Sequence, residues 1–73
     1  MDHPSIKFAV CVADSEPDLE HRKVYRVLPD AQAATEDHLR VIDESGEDYL
    51  YPANYFVLID LSQADETALM QAF

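Results

Sequence analysis

The sequence predicts a mainly β fold, a small five-stranded barrel followed by a short C-terminal α-helix. Short β-branched and aromatic runs alternate with turn signals over most of the chain, and the only glycine, Gly46, lies between two such runs. A stripe of apolar residues at the three- and four-residue spacing of a helix is confined to the last eleven residues. At 73 residues there is room for one domain. We expect the barrel at about residues 6–60 and the helix at about residues 62–73.

The first two strands are predicted from their side-chain patterns. Residues 6–13 alternate large and small side chains with the period of two that is typical of a strand. Residues 14–21 hold four carboxylates and a proline, which favours an exposed loop. Residues 24–28 are β-branched and aromatic, and Pro29 ends this second strand because proline lacks the ladder donor.

The next segment predicts a hairpin and a closing strand. Residues 31–37 have helix-forming composition but too few turns for more than a helical bulge in a loop. Residues 39–43 and 48–51 form the two arms of a hairpin around Gly46, where a tight turn needs a residue that tolerates positive φ. Residues 55–61 are the fifth strand.

The C-terminal helix is predicted from its first residues. Ser62 can cap the first turn, and Asp65 favours the positive end of the helix dipole. Leu69, Ala72 and Phe73 share one stripe, but a helix this short is not stable alone in water. The stripe must therefore dock on the barrel or on another subunit.

The charge of the chain restricts its partners. Fifteen acidic residues face five basic ones, the net charge is -10, and no Lys or Arg follows Arg40. Such a surface repels phosphates, so we expect neither nucleic acid nor membrane binding. A protein partner with a basic patch is favoured, although the charge could also serve only to keep the chain soluble. Cys11 cannot form an intramolecular disulfide, and the absence of a signal-like N-terminus favours the cytoplasm.

No reaction centre is evident in the sequence. His3, His21 and His38 are too far apart in the chain for a typical zinc motif, and residues 43–48 lack the ligand frame of a calcium loop. Cys11 lies inside an apolar strand, which favours a buried hydrophobe over a nucleophile. We therefore expect no metal, no cofactor and no catalytic residue.

Four tyrosines are the remaining candidates for a binding surface. Tyr49 and Tyr51 lie on one side of their strand and Leu50 on the other, so either both tyrosines or Leu50 point inward. We expect Tyr51 to pack inward. Tyr55 is expected to contribute to a binding surface.

Residues 50–57, Leu-Tyr-Pro-Ala-Asn-Tyr-Phe-Val, resemble the corner before the last strand of SH3 domains. In that corner proline fixes φ at the entry to a 3₁₀ turn, Asn54 would tolerate an unusual dihedral angle and bond the local backbone, and Tyr55 would place its ring on the surface. The chain contains no tryptophan, the residue that walls the proline-rich ligand groove in signalling SH3 domains.

The resemblance implies a peptide-binding face on an SH3-like five-stranded barrel. Its apolar platform would be Pro52 and Tyr55. Carboxylates of the loop after the first strand would hold a basic group of the ligand. The implied loop carboxylates are Asp14, Glu16, Asp18 and Glu20.

Two hypotheses of function follow. The first is a non-enzymatic SH3-like module that binds a protein segment with basic character. The second is an acidic structural or regulatory protein that forms a homo-oligomer or masks a basic surface of a partner. Residues 23–30 and 40–52 also resemble a set of short, uncharacterised bacterial proteins, which implies a bacterial cytoplasmic protein.

Overall fold

The computed structural model describes residues 6–73, so His3 lies outside the described residues. Five strands and two helices follow one another, with a 3₁₀ turn before the last strand. The elements are β1 (Lys7–Cys11), β2 (Val24–Leu28), α1 (Ala31–Thr35), β3 (His38–Ile42), β4 (Asp48–Pro52), the 3₁₀ turn (Ala53–Tyr55), β5 (Phe56–Ile59) and α2 (Gln63–Ala72).

The five strands form one antiparallel sheet in the order β4-β3-β2-β1-β5. The prediction of a mainly β fold with a short C-terminal helix is confirmed. The sheet is not closed into a barrel, because β4 and β5 are its two edges and do not pair with each other. This small antiparallel sheet with its C-terminal helix is compatible with an SH3-like fold.

The turns form where the local sequence predicts them. Gly46 adopts φ +85° in the β3–β4 hairpin. The Asp43 carboxylate accepts hydrogen bonds from the backbone and hydroxyl of Ser45, an Asx turn that fixes the chain just before the glycine. Asp30 caps α1 by accepting from the Ala33 N–H at 2.9 Å.

The corner before β5 differs from the expected geometry at one residue. Pro52 has φ -56° and precedes the 3₁₀ turn, as expected. Asn54 does not adopt an unusual dihedral angle, because Arg22 and Asp37 are the only non-glycine residues with positive φ among residues 6–73. Tyr55 belongs to the 3₁₀ turn, so β5 begins one residue later than the sequence predicts.

The core lies on one face of the sheet, called here the inner face. In β1 it takes up the small side chains of Ala9 and Cys11, which leaves room for aromatic rings from the other strands. Leu19, from the loop after β1, covers it. The buried cluster on this face is Ala9, Cys11, Leu19, Tyr25, Val27, Val41, Tyr51 and Phe56.

The C-terminal helix docks on the opposite, outer face of the sheet. Phe8 is fully buried there and stacks on Phe73, with ring centroids 5.8 Å apart. The guanidinium of Arg26, the neighbour of Phe8 on β2, lies 4.8 Å from the Phe73 ring centroid. Lys7 and Glu66 add an ion pair at 3.6 Å. The expected docking of the helix is thus made within the chain, on its own sheet.

Neither helix in residues 6–73 is long and apolar enough to cross a lipid bilayer.

Candidate functional site

Two acidic segments lie side by side at one end of the sheet. The acidic loop is residues 14–21, and the acidic hairpin is residues 43–48. The Glu44 N–H donates to the Asp18 carbonyl at 3.0 Å, which joins the two segments directly. Leu19 anchors the acidic loop by burying its side chain in the core. Each segment contributes four carboxylates to this end of the molecule.

A buried tyrosine forms a second link between the segments. The Tyr25 hydroxyl accepts from the Glu20 N–H at 2.6 Å and donates to the Glu44 carboxylate. Lys23 pairs with the same carboxylate at 2.6 Å. One phenol thus binds a backbone group of the acidic loop and a side chain of the acidic hairpin, so the two segments are held in a fixed relation.

The pKa values of these groups reflect that arrangement. Burial, reinforced by the hydrogen bond to Glu44, holds the pKa of Tyr25 well above its ordinary value. The hydrogen bond from Lys23, with that from Tyr25, holds the pKa of the Glu44 carboxyl below its ordinary value. Glu44 is therefore ionised at neutral pH, and Tyr25 remains a hydrogen-bond donor.

Tyr51 makes the corresponding contact in the acidic hairpin. Its ring is buried, as predicted, and its hydroxyl donates to the Asp43 carboxylate at 2.6 Å. Asp43 is only 5% exposed. Burial alone would raise the pKa of the Asp43 carboxyl, but the hydrogen bonds from Ser45 and Tyr51 outweigh it, and the pKa lies below its ordinary value. Asp43 is thus a buried anion held by hydrogen bonds.

The other two tyrosines of this region differ in exposure. Tyr49 is 48% exposed and donates to Glu47 at 3.1 Å. Tyr55 is half-buried, packs against the core and lies 6.3 Å from Tyr51 between ring centroids. The Tyr55 carbonyl accepts from the Val12 N–H at 2.8 Å, at the start of the segment that leads into the acidic loop. Tyr55 therefore presents part of its ring to solvent, and Tyr49 presents more.

The residues that the sequence assigns to ligand binding fall into two groups. Pro52 borders a depression of about 450 Å³, which neither Tyr55 nor the acidic loop lines. The remaining lining residues of that depression are Glu36, Asp37, His38, Ala53 and Asn54. Tyr55 is thus bonded to Val12, two residues before the acidic loop, whereas Pro52 lines a depression that contains no residue of that loop.

The four carboxylates of the acidic loop are mostly open to solvent. Asp14, Asp18 and Glu20 are exposed, and Glu16 is half-buried. Glu20 pairs with Lys23 at 3.4 Å, whereas the other three have no ion pair within residues 6–73. Burial and the hydrogen bond to Asp43 are the main causes of the raised pKa of Tyr51, and the charges of Asp18 and Glu16 add to them. The negative charges of these two carboxylates thus act on the Tyr51 hydroxyl.

The acidic hairpin is not among the site residues that the sequence predicts. In the sequence its carboxylates belong to a stretch after Arg40 that contains no Lys or Arg. Their position beside the acidic loop depends on long-range contacts. Tyr49 was recognised as a surface candidate by its residue type only. Among residues 6–73, no group of three or more His, Cys, Asp or Glu side chains could hold a metal ion.

Comparison with models of known protein families, with curated proteins and with solved structures found no match to the chain.

Proposed function

We propose that the chain is a non-enzymatic SH3-like interaction module that binds a protein segment with basic character. The ligand would lie across the acidic loop and the acidic hairpin, with Tyr49 and the open part of Tyr55 as its apolar contacts. The observation that carries the proposal is the backbone bond from Glu44 to Asp18, which makes one continuous anionic surface from two segments distant in sequence.

The chemistry of this surface suits lysine and arginine side chains. Carboxylates without an ion pair, such as those of Glu16 and Asp18, can accept charge-assisted hydrogen bonds from a cation. The exposed ring of Tyr49, which follows the acidic hairpin directly in the chain, can stack with an arginine guanidinium. Because Glu44 and Asp43 are already bonded within the chain, they support the surface and leave the outer carboxylates to the ligand.

Charge alone attracts cations non-specifically, so the test compares two variants of equal net charge. Glu16→Lys with Asp18→Lys reverses two carboxylates of the site. Glu36→Lys with Asp65→Lys reverses two exposed carboxylates outside it. The probe is a fluorescent arginine-rich peptide, with binding measured by anisotropy at several salt concentrations.

We expect the site variant to bind the peptide on the order of tenfold more weakly than the control variant. Tyr49→Ala should weaken binding further, because an exposed ring contributes to contact and not to the core. Equal loss of binding in the two charge variants would show that only net charge matters and would reject the site.

A further inference from the structure

The edge strand β5 lacks the features that usually protect an edge. Residues 49–59 are the longest stretch of the chain without a charged residue. Val57 is 57% exposed and Leu58 is 58% exposed, although they point to opposite faces of the sheet. Natural edge strands are commonly blocked by lysine, proline or a bulge. β5 holds no charged residue and no proline.

The free hydrogen-bonding groups of this edge can be assigned from the β1–β5 register. The Val12 N–H donates to the Tyr55 carbonyl, so Val57 and Ile59 also direct their backbone groups toward β1. The Phe56 N–H is bonded to the Ala53 carbonyl. Within residues 6–73, the open edge of β5 therefore presents the Phe56 carbonyl and both backbone groups of Leu58.

We propose that β5 pairs with β5 of a second copy of the chain, antiparallel about a two-fold axis perpendicular to the sheet. Such an axis keeps the outer faces of the two sheets on the same side. Even-numbered residues of β5 must therefore lie opposite even-numbered residues of the second copy, and odd-numbered residues opposite odd-numbered ones. Centring the axis on Leu58 lets the two Leu58 residues exchange N–H···O=C bonds. Asp60 N–H then reaches the Phe56 carbonyl of the second copy, so every free group of the edge is used.

This register also keeps like charges apart. Asp60 lies opposite Phe56 of the second copy, and Val57 lies opposite Ile59, so no two carboxylates face each other directly across the pair. The opposite edge, β4, is less suitable because Asp48 begins it and Pro52, which has no N–H, ends it. A second copy is therefore expected to pair with β5 and not with β4.

Salt distinguishes this dimer from binding to a basic ligand. Two chains of net charge -10 repel each other, and added salt screens that repulsion. Self-association through β5 should therefore strengthen with salt, whereas binding of an arginine-rich peptide to the acidic surface should weaken. The inference does not depend on the proposed function, and each can fail without the other.

The first experiment uses the unmodified chain. Sedimentation equilibrium should show a monomer–dimer equilibrium that shifts toward the dimer with protein concentration and with salt. Amide hydrogen exchange measured by NMR under the same conditions should show slower exchange at Leu58 and Asp60 as the dimer forms. A monomer mass throughout, with exchange at Leu58 independent of concentration, would overturn the proposal.

A matched pair of variants tests which edge is used. Leu58→Lys places a charge at the centre of the two-fold contact, where it meets its own copy. Leu50→Lys makes the same change at an exposed position of β4. We expect self-association to weaken about tenfold or more in the first variant and to stay unchanged in the second. Loss of the dimer in Leu50→Lys, or its survival in Leu58→Lys, would contradict pairing through β5.

Discussion

The two faces of the sheet are held together by different kinds of contact. At the end of the inner face, Tyr25 and Tyr51 are buried rings whose hydroxyls bind Glu44 and Asp43. On the outer face, Phe8 stacks on a single aromatic ring, that of Phe73, which is itself 50% exposed. α2 has no buried residue.

This difference separates the stability of the sheet from that of the helix. A buried carboxylate that loses its donor, or a buried phenol that loses its acceptor, carries the full cost of desolvation, so the inner contacts are interdependent. A half-exposed ring on a short helix can detach at small cost. The acidic surface should therefore remain ordered under conditions where α2 leaves the sheet.

The largest effect is expected from Asp43→Ala. The change leaves the buried Tyr51 hydroxyl without its acceptor and removes the hydrogen bonds to Ser45. The free energy of unfolding should therefore fall by about 2 to 3 kcal/mol. Urea denaturation followed by tyrosine fluorescence measures it. The control is Asp48→Ala, which removes an exposed carboxylate paired with Arg40 and should cost less than about 1 kcal/mol. Equal costs would contradict the role of the buried contact.

Acid should weaken the same face. The pKa values of the Asp43 and Glu44 carboxyls are lowered in the folded chain, so the unfolded chain binds protons first as pH falls. Their contribution is fully present above the ordinary carboxyl pKa near 4 and is lost progressively below it. Urea midpoints between about pH 3 and pH 6 measure this loss. Asp43→Asn should flatten the profile, and an unchanged slope would contradict the assignment.

Base should act on the two buried phenols. The pKa values of Tyr25 and Tyr51 are raised by burial and by their carboxylate partners, so the unfolded chain loses protons first as pH rises. Their contribution is present below the ordinary tyrosine pKa near 10 and is lost above it. Ultraviolet titration should show these two tyrosines ionising only with unfolding, while the exposed Tyr49 ionises in the folded chain. Ionisation of all tyrosines without unfolding would count against the buried contacts.

The smallest effect is expected on the outer face, from Phe73→Ala. The change removes the stack on Phe8 and the contact with Arg26, which together are worth about 1 to 2 kcal/mol. Circular dichroism should show reduced helix content while the urea midpoint of the sheet changes little. Met70→Ala, on the same helix, is the control and should keep the helix docked. A large loss of sheet stability in Phe73→Ala would mean that the two faces are coupled.

The local parts of the fold could be predicted from the sequence. A period-two pattern indicates β1, and β-branched and aromatic composition indicates β2. Gly46 indicates the hairpin turn, and Ser62 indicates the helix cap, which accepts from the Asp65 N–H at 3.2 Å. Each depends on neighbouring residues only, where steric and capping preferences act directly.

The candidate surface could be predicted only in part, because its contacts join distant residues. Leu19 is a single apolar residue in a polar loop and carries no periodic signal, yet it is buried. Tyr25 reaches Glu44 across nineteen positions of sequence. The sequence indicates an acidic loop and a corner that contains Tyr55. It does not indicate that the acidic hairpin lies beside the loop or that Pro52 lines a separate depression.

Cys11 gives this small chain an internal reporter of its own opening. It is the only cysteine in the sequence, its side chain is fully buried in the core on the inner face, and its sulfur lies 3.4 Å from the Ala13 carbonyl oxygen. A thiol reagent can reach the sulfur only when this core opens. The rate of alkylation thus measures how often the inner-face core opens, in the unaltered protein and without an added label.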